Sequence, residues 1–296
     1  MKAVIWGHAL HSHTHSYIHY GFVRAFRHLG FDTYWFDDNS DVKGFDFSNC
    51  IFLTEGQVDK NIPARKDCFY VLHNCSHPRY ADLPNLLILQ TYTKHAAGEN
   101  LNPYTKLLKG YKLGNLFQPW ATDLLPSEID KSLTMFDWPR EKKIYFVGTC
   151  TTGPYGNRDV VDEFGKAAKA AGIELVAQGG FTSGPMIDCE VAVNLVKKSF
   201  VAPALQGNWQ VENGYIPCRI FKNISYGHLG ITNSDVVNDV FQRKLVYDPN
   251  PTLLFQKALE KVQSAHREEI KELMHDVALN HTYVNRAQQI LKLLMV

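Results

Sequence analysis

Apolar and polar positions along the chain keep two rhythms in alternation. Short apolar runs at residues 2–6, 33–36, 49–54, 67–73 and 86–90 read as buried strands, and a stripe at helical spacing over residues 17–29 stops at Gly30. The rhythm restarts with a strand at 142–148, a helix at about 158–171, a strand at 173–178, a helix at 190–198 and a strand at 200–203. A helix around Arg219 then ends at Gly227 and Gly230 and runs into a strand and loop at 231–234, and helices at 266–279 and 282–294 follow. Strands alternating with helices predict parallel sheets covered by helices, an α/β fold. Between the two series, Gln118 to Pro126 carries two prolines and leads into a polar stretch, which reads as a linker. The pattern therefore predicts two domains, residues 1–125 and 140–279, and 296 residues suffice for each to bury a core.

Composition narrows the function classes. A chain with 45% apolar and 21% charged residues is that of a soluble globular protein. The net charge of +1 lacks the basic excess of a dedicated nucleic-acid binder, so no nucleic-acid partner is expected. The apolar run at 3–6 is too short for a secretory signal, and no run approaches the roughly 18 residues that span a bilayer. The expected location is cytoplasmic, with no integral membrane segment. Six cysteines without a CxxC pair read as reduced core thiols.

The segment Glu212–Ser234, ENGYIPCRIFKNISYGHLGITNS, concentrates the chemistry. Arg219 and Lys222 stand three apart on one helical face at the expected helix start, where unpaired amides and the helix dipole favour an anion. A diphosphate fits that description. The other reading is an ordinary amphipathic helix with solvated cations.

Gly214-Tyr215-Ile216-Pro217-Cys218-Arg219-Ile220-Phe221 resembles the donor-binding run of GT-B glycosyltransferases, Gly-x-x-Pro-x-Arg-x-Phe-Glu, with Lys222 in place of the Glu. The resemblance implies two Rossmann-like domains facing each other across a cleft. It also implies that the closing helix, about residues 280–296, returns to the first domain. Arg219 and Lys222 would then meet the donor diphosphate, helped by Thr149, Thr151 and Arg158 from the glycine-rich loop after the 142–148 strand. Gln178 and Gly179, with Tyr215, Ile216 and Pro217, would line the nucleoside. Counting back eight from Lys222 reaches Gly214, so the paired Glu of many retaining members is missing, which favours inversion.

The loop after the first strand carries His8, His11, His13 and His15, with His19 one turn into the helix. Loops at the carboxyl ends of parallel strands face the ligand, and a neutral imidazole can accept the proton of an attacking hydroxyl. His13 or His15 falls nearest the position from which some inverting GT-B families draw a base. His8 and His11 join Asn74, Ser76, His77 and Thr93, in the later loops, as acceptor-side candidates. A zinc site is the rival reading of His-x-His-x-His, but no Cys, Asp or Glu stands at a diagnostic spacing, so no metal is expected. Loop filler is the third reading. No Asp-x-Asp triplet is present and no cofactor is expected.

The expected function is transfer of a sugar from a UDP- or GDP-sugar to a hydroxyl of a glycan or glycoconjugate, inverting and metal-independent. The alternatives are a nucleotide-sugar epimerase or a non-catalytic two-domain binding protein.

Overall fold

A computed structural model describes residues 1–75, 77–97, 115–134, 141–180 and 184–294. Ser76 and the last two residues of the expected closing helix lie outside the described residues. The chain divides into two compact units, Met1–Asp123 with Tyr283–Val296, and Leu124–Thr282.

The first unit is built on β1 (Lys2–Trp6), α1 (Ser16–His28), β2 (Asp32–Phe36), β3 (Cys50–Glu55), β4 (Phe69–His73), β5 (Leu86–Gln90), α2 (Thr93–Ala96) and β6 (Asn115–Phe117). Its sheet has six strands in the order β2-β1-β3-β4-β5-β6. Every pairing is parallel. From β1 the chain goes to β2 on one side and to β3 on the other, so the strand order reverses between β1 and β3. In open α/β sheets such a reversal leaves a crevice for ligands at the carboxyl ends of the two strands.

All six residues of β3 are buried, which explains why Cys50 to Leu53 is a continuous apolar run. Trp6, Phe52, Tyr70 and Tyr80 fill the core on one face, with the Phe52 and Tyr70 rings stacked at 4.9 Å. On α1, Ile18, Phe22, Val23, Ala25 and Phe26 form the buried stripe.

The second unit contains α3 (Pro126–Ser132), β7 (Lys143–Val147), α4 (Arg158–Ala170), β8 (Glu174–Gln178), α5 (Cys189–Lys198), α6 (Asn208–Glu212) and α7 (Cys218–Ser225), followed by β9 (Ile231–Thr232), α8 (Asp235–Val240), β10 (Val246–Tyr247), α9 (Pro251–Ser264) and α10 (Arg267–Asn280). Strands β7 and β8 pair in parallel, as do β9 and β10. The strand expected at 200–203 is absent: Pro203 has no N–H to donate to a ladder, and the segment makes a Phe200 N to Lys143 O hydrogen bond and, past the proline, an isolated bridge from Ala204 to Thr232. Helix α9 falls outside the pattern reading although it carries both start signals, Pro251 at its first turn and Asn250 accepting from Leu253 N at 2.9 Å. No helix among the described residues is long and apolar enough to cross a membrane.

Helix α11 (Tyr283–Leu294) packs on α1 within the first unit. Arg286 is buried there and donates from Nε to Pro119 O at 2.8 Å and from Nη2 to Trp120 O at 3.3 Å. Gln118 Nε2 donates back to Arg286 O at 3.1 Å. At Gly21 of α1 an added Cβ would lie 2.2 Å from the ring of Tyr283, which is itself only 2% exposed. Gly21→Ala would gain about 1 kcal/mol of helix propensity. A methyl group driven into a buried ring costs about 1–3 kcal/mol. The expected net effect is therefore destabilisation, read as a lower urea midpoint. A midpoint equal to or above that of the wild type would show that α11 does not close on α1 this tightly.

Candidate active site

The register of β3 and β4 pairs Glu55 with His73, so the last residues of two neighbouring strands bring a carboxylate and an imidazole together at the carboxyl edge of the sheet. Strand β1 flanks β3 on the other side, and its loop delivers His8 and His15 to the same carboxylate. His8 Nε2 lies 3.2 Å from Glu55 Oε2, and His15 Nδ1 lies 3.9 Å from Glu55 Oε1. Gln57 N donates to Oε2 at 3.1 Å and Asn74 Nδ2 to Oε1 at 3.4 Å. His13 stacks on His8 with ring centroids 3.9 Å apart. Trp120 forms an apolar wall, its ring 4.8 Å from that of His73. The site occupies the reversal point of the sheet.

The Glu55 side chain has no exposed surface. Burial pushes its carboxyl up, but the hydrogen bonds from His8 and Gln57 prevail and hold it at about 2. Burial also pushes His73 down to about 4 and His15 well below the ordinary imidazole range, so both rings are neutral at pH 7. An ionised carboxylate only accepts, which assigns the shared proton to His8 Nε2 and leaves the lone pair on His8 Nδ1. His13 has the opposite arrangement: its Nδ1 accepts from His15 N at 3.1 Å, so its neutral ring presents an N–H at Nε2.

Other first-unit candidates lie apart from Glu55. His11 takes a left-handed backbone, φ 64°, and its Nδ1 pairs with Tyr17 Oη at 3.2 Å. His77 caps a 3-10 turn, its Nδ1 accepting from Arg79 N and Nε, both at 3.1 Å. Thr93 opens α2. Glu55, His73 and Trp120 are the residues that pattern reading overlooks. The only signal for Glu55 and His73 is a single polar residue closing an apolar strand.

In the second unit, Arg219 lies in the first turn of α7, with its guanidinium 4.1 Å above the Phe146 ring. Its Nε and Nη2 both donate to Val147 O at 3.3 Å. Among the described residues no carboxylate pairs with it, and burial lowers its pKa. Gly148 makes this placement possible. Its φ of 128° suits glycine, and a Cβ there would lie 2.4 Å from Arg219 Nη2. Lys222 differs from expectation: α7 is only 8 residues long, Cys218–Ser225, so Lys222 falls in the last turn, where a cation complements the negative end of the helix dipole.

The glycine-rich loop closes on itself. Thr151 O accepts from Asn157 N at 3.0 Å and Arg158 N at 2.9 Å, Asn157 Oδ1 accepts from Thr151 N at 3.2 Å, and Arg158 Nη2 donates to Cys150 O at 3.1 Å. Thr149 Oγ1 is buried with no partner, beside Gly180. Gln178 accepts from Gly148 N at 2.8 Å, and Gly179 follows with φ 72°. Tyr215 O accepts from Gln206 Nε2 at 2.8 Å, Ile216 is core at 2% exposure, and Pro217 is the N-cap of α7. Arg219, Gly148 and Thr149 thus gather around the end of β7, while Ile216 belongs to the packing beneath.

His19 is 2% exposed, and burial, with His8 beside it, pushes it down to about 3. Its unfolded value is about 6.5, so the unfolded chain binds a proton that the folded chain refuses as pH falls from about 6.5 towards 3. Stability is fully present above that window and declines through it by roughly 1.4 kcal/mol per pH unit for each such histidine. His73 adds to the slope down to about pH 4. The thermal midpoint should fall steeply below pH 6.5, and His19→Asn should flatten the fall. An unchanged slope in His19→Asn would show that this imidazole is not buried neutral.

No protein-family model matches the chain, and no curated protein does. Among solved structures, an α-glucosyltransferase in complex with UDP-glucose and DNA containing an abasic site is similar at a TM-score of 0.64 and 11% identity, covering 98% of each chain. A glycosyltransferase from Rickettsia africae ESF-5 is similar at a TM-score of 0.53 and 12% identity, covering 99% of this chain and 98% of that one. An α-glucosyltransferase in complex with UDP and a 13-mer DNA containing a central A:G mismatch follows at a TM-score of 0.56 and 11% identity, covering 99% of each. At these identities the likeness concerns fold, and the fold of this chain is one that glycosyltransferases use.

Proposed function

We propose that the chain is a nucleotide-sugar-dependent glycosyltransferase of the GT-B type, with the second unit holding a nucleoside-diphosphate sugar and the first supplying the group that activates the acceptor. The observation that carries this reading is Arg219: a guanidinium without an acidic partner among the described residues, set by Gly148 at the end of β7 on a fold that glycosyltransferases share. A half-buried charged group with no counter-ion among the described residues is ready to receive an anion. The leaving diphosphate is that anion. The hydroxyl of Thr149, one residue after Gly148 and without a partner among the described residues, offers a further donor. With no Asp-x-Asp triplet in the sequence, these groups neutralise the diphosphate without a metal at that position.

His8 is the base in this reading, in place of His13 or His15. Its Nε2–H is held by the Glu55 carboxylate, so the Nδ1 lone pair is oriented and can take the acceptor proton, the arrangement of a carboxylate-supported imidazole. The acceptor oxygen then bonds to the anomeric carbon as the bond to the diphosphate oxygen breaks, and its proton ends on His8. Direct displacement inverts the anomeric centre. Two of the similar structures are named α-glucosyltransferases, which makes retention the second outcome, and the anomer formed, read by NMR, separates the two.

UDP is the nucleotide to test first, because two of the similar structures were solved with UDP-glucose or UDP. For the acceptor, the net charge of +1 lacks the basic excess on which sequence-independent DNA binding depends, and this favours a hydroxyl of a glycan or glycoconjugate. DNA in two of the similar structures makes duplex DNA the second acceptor class. Labelled UDP-glucose offered with oligosaccharides in one arm and DNA duplexes in the other decides between them.

Arg219→Ala should weaken UDP binding by about 10- to 150-fold, the loss of a charge-assisted hydrogen bond of about 1.5–3 kcal/mol. Calorimetry showing unchanged UDP affinity in a folded variant removes Arg219 from the donor site. His8→Ala should lower kcat by about 10²–10⁴ with UDP affinity unchanged, because the base acts on the acceptor alone. Transfer within about twofold of wild type would transfer the role to another group.

A further inference from the structure

His15, Glu55 and His73 come from three separate elements, the end of the loop before α1, the end of β3 and the end of β4. One ligand atom from each lies within 4.8 Å of the other two. We propose that these three side chains bind a divalent cation of the zinc type, with a fourth coordination position left for an oxygen ligand. This site goes beyond the transferase reading and does not rest on it.

The donor set comes first. Two imidazoles and one carboxylate are borderline ligands suited to zinc, and three protein ligands with an open position is a common arrangement for that ion. Charge points the same way. The Glu55 side chain is wholly shielded from solvent, and its Oε1 accepts from Asn74 Nδ2 at a long 3.4 Å, so a cation beside Oε1 supplies a close partner that water cannot provide.

Geometry is the independent observation. His15 Nδ1 is sealed from solvent and has no hydrogen-bond partner. It stands 3.9 Å from Glu55 Oε1, too far for a hydrogen bond. Two ligands on a tetrahedral zinc ion with bonds of about 2.0–2.1 Å stand roughly 3.3 Å apart, so a small rotation of either side chain brings this pair to ligand spacing. The other carboxylate oxygen, Oε2, is already fixed by Gln57 N at 3.1 Å and His8 Nε2 at 3.2 Å, which orients Oε1 towards the imidazoles in the manner of an outer-shell contact. The His15 side chain is 23% exposed and gives the ion its route in. A second group, His8, His13 and His15, is as compact but offers no negative charge, and the Nδ1 of His13 is occupied by a backbone amide.

The test uses the full chain, stripped with a chelator and titrated with Zn²⁺ and with Co²⁺ as a spectroscopic substitute, without donor or acceptor. Its result is therefore separate from the fate of the transferase reading. One equivalent should bind, with the visible bands of tetrahedral Co²⁺, and His73→Ala and Glu55→Gln should each weaken binding by more than about 10-fold. His28→Ala, on the exposed end of α1, should leave binding unchanged. Failure of the folded wild type to bind either ion overturns the proposal. So does binding that survives His73→Ala and Glu55→Gln but is lost in His13→Ala. Should the ligand variants not fold, X-ray absorption of the zinc-loaded wild type decides: two imidazoles with oxygen ligands support the site, and three imidazoles overturn it.

Discussion

A carboxylate removed from water must be matched by donors or by charge, and Glu55 imposes that requirement on the first unit. It ends β3, the strand between β1 and β4, so its needs are met by whatever those neighbours carry at their carboxyl ends. His73 is supplied by register and His8 by the loop after β1. The Gln57 backbone amide fixes one oxygen and the Asn74 side-chain amide reaches the other. The histidine-rich loop is thereby organised around one anion, and its tautomers follow from that anion: His8 must give Glu55 its Nε2 proton, and only its other nitrogen is left for chemistry.

The second unit solves the reverse problem. Arg219 is a cation with aromatic and carbonyl neighbours in place of an acid, packed over Phe146 and hydrogen-bonded to Val147 O. Any side chain at position 148 would displace the guanidinium, so the residue after β7 has to be glycine for the charge to sit at the strand end. The two units thus hold opposite charges, a buried carboxylate in one and a half-buried guanidinium in the other. Each charge is held by contacts within its own unit.

Much of this was legible in the sequence because the relevant signals are local. Strand and helix periodicity gave the parallel α/β class. Positions 214 to 221 marked the approach to Arg219, and the run of alternate histidines marked a chemically loaded loop. What escaped depended on pairing between distant segments. Glu55 looks like the frayed polar end of an apolar strand until the register places His73 opposite it. Lys222 looked like a helix-start cation because a helix boundary cannot be fixed to a residue from periodicity, and the early end at Ser225 puts it in the last turn of a short helix. The strand expected at 200–203 failed for a reason visible in the chain, the proline at its end, which apolar patterning outweighed.

The first unit is discontinuous: α11 lies beyond the whole of the second unit in the chain, yet it fills the groove at Gly21 and holds the Pro119 and Trp120 carbonyls through Arg286. During synthesis the six strands emerge first and must wait without that helix until the second unit has been translated. The earlier domain usually folds first, but here the first unit lacks its last helix until the second unit has been made. The second unit can reach its native state on the ribosome while the sheet that carries Glu55 is still incomplete, and a nascent chain arrested before α11 would expose the apolar face of α1 to chaperones.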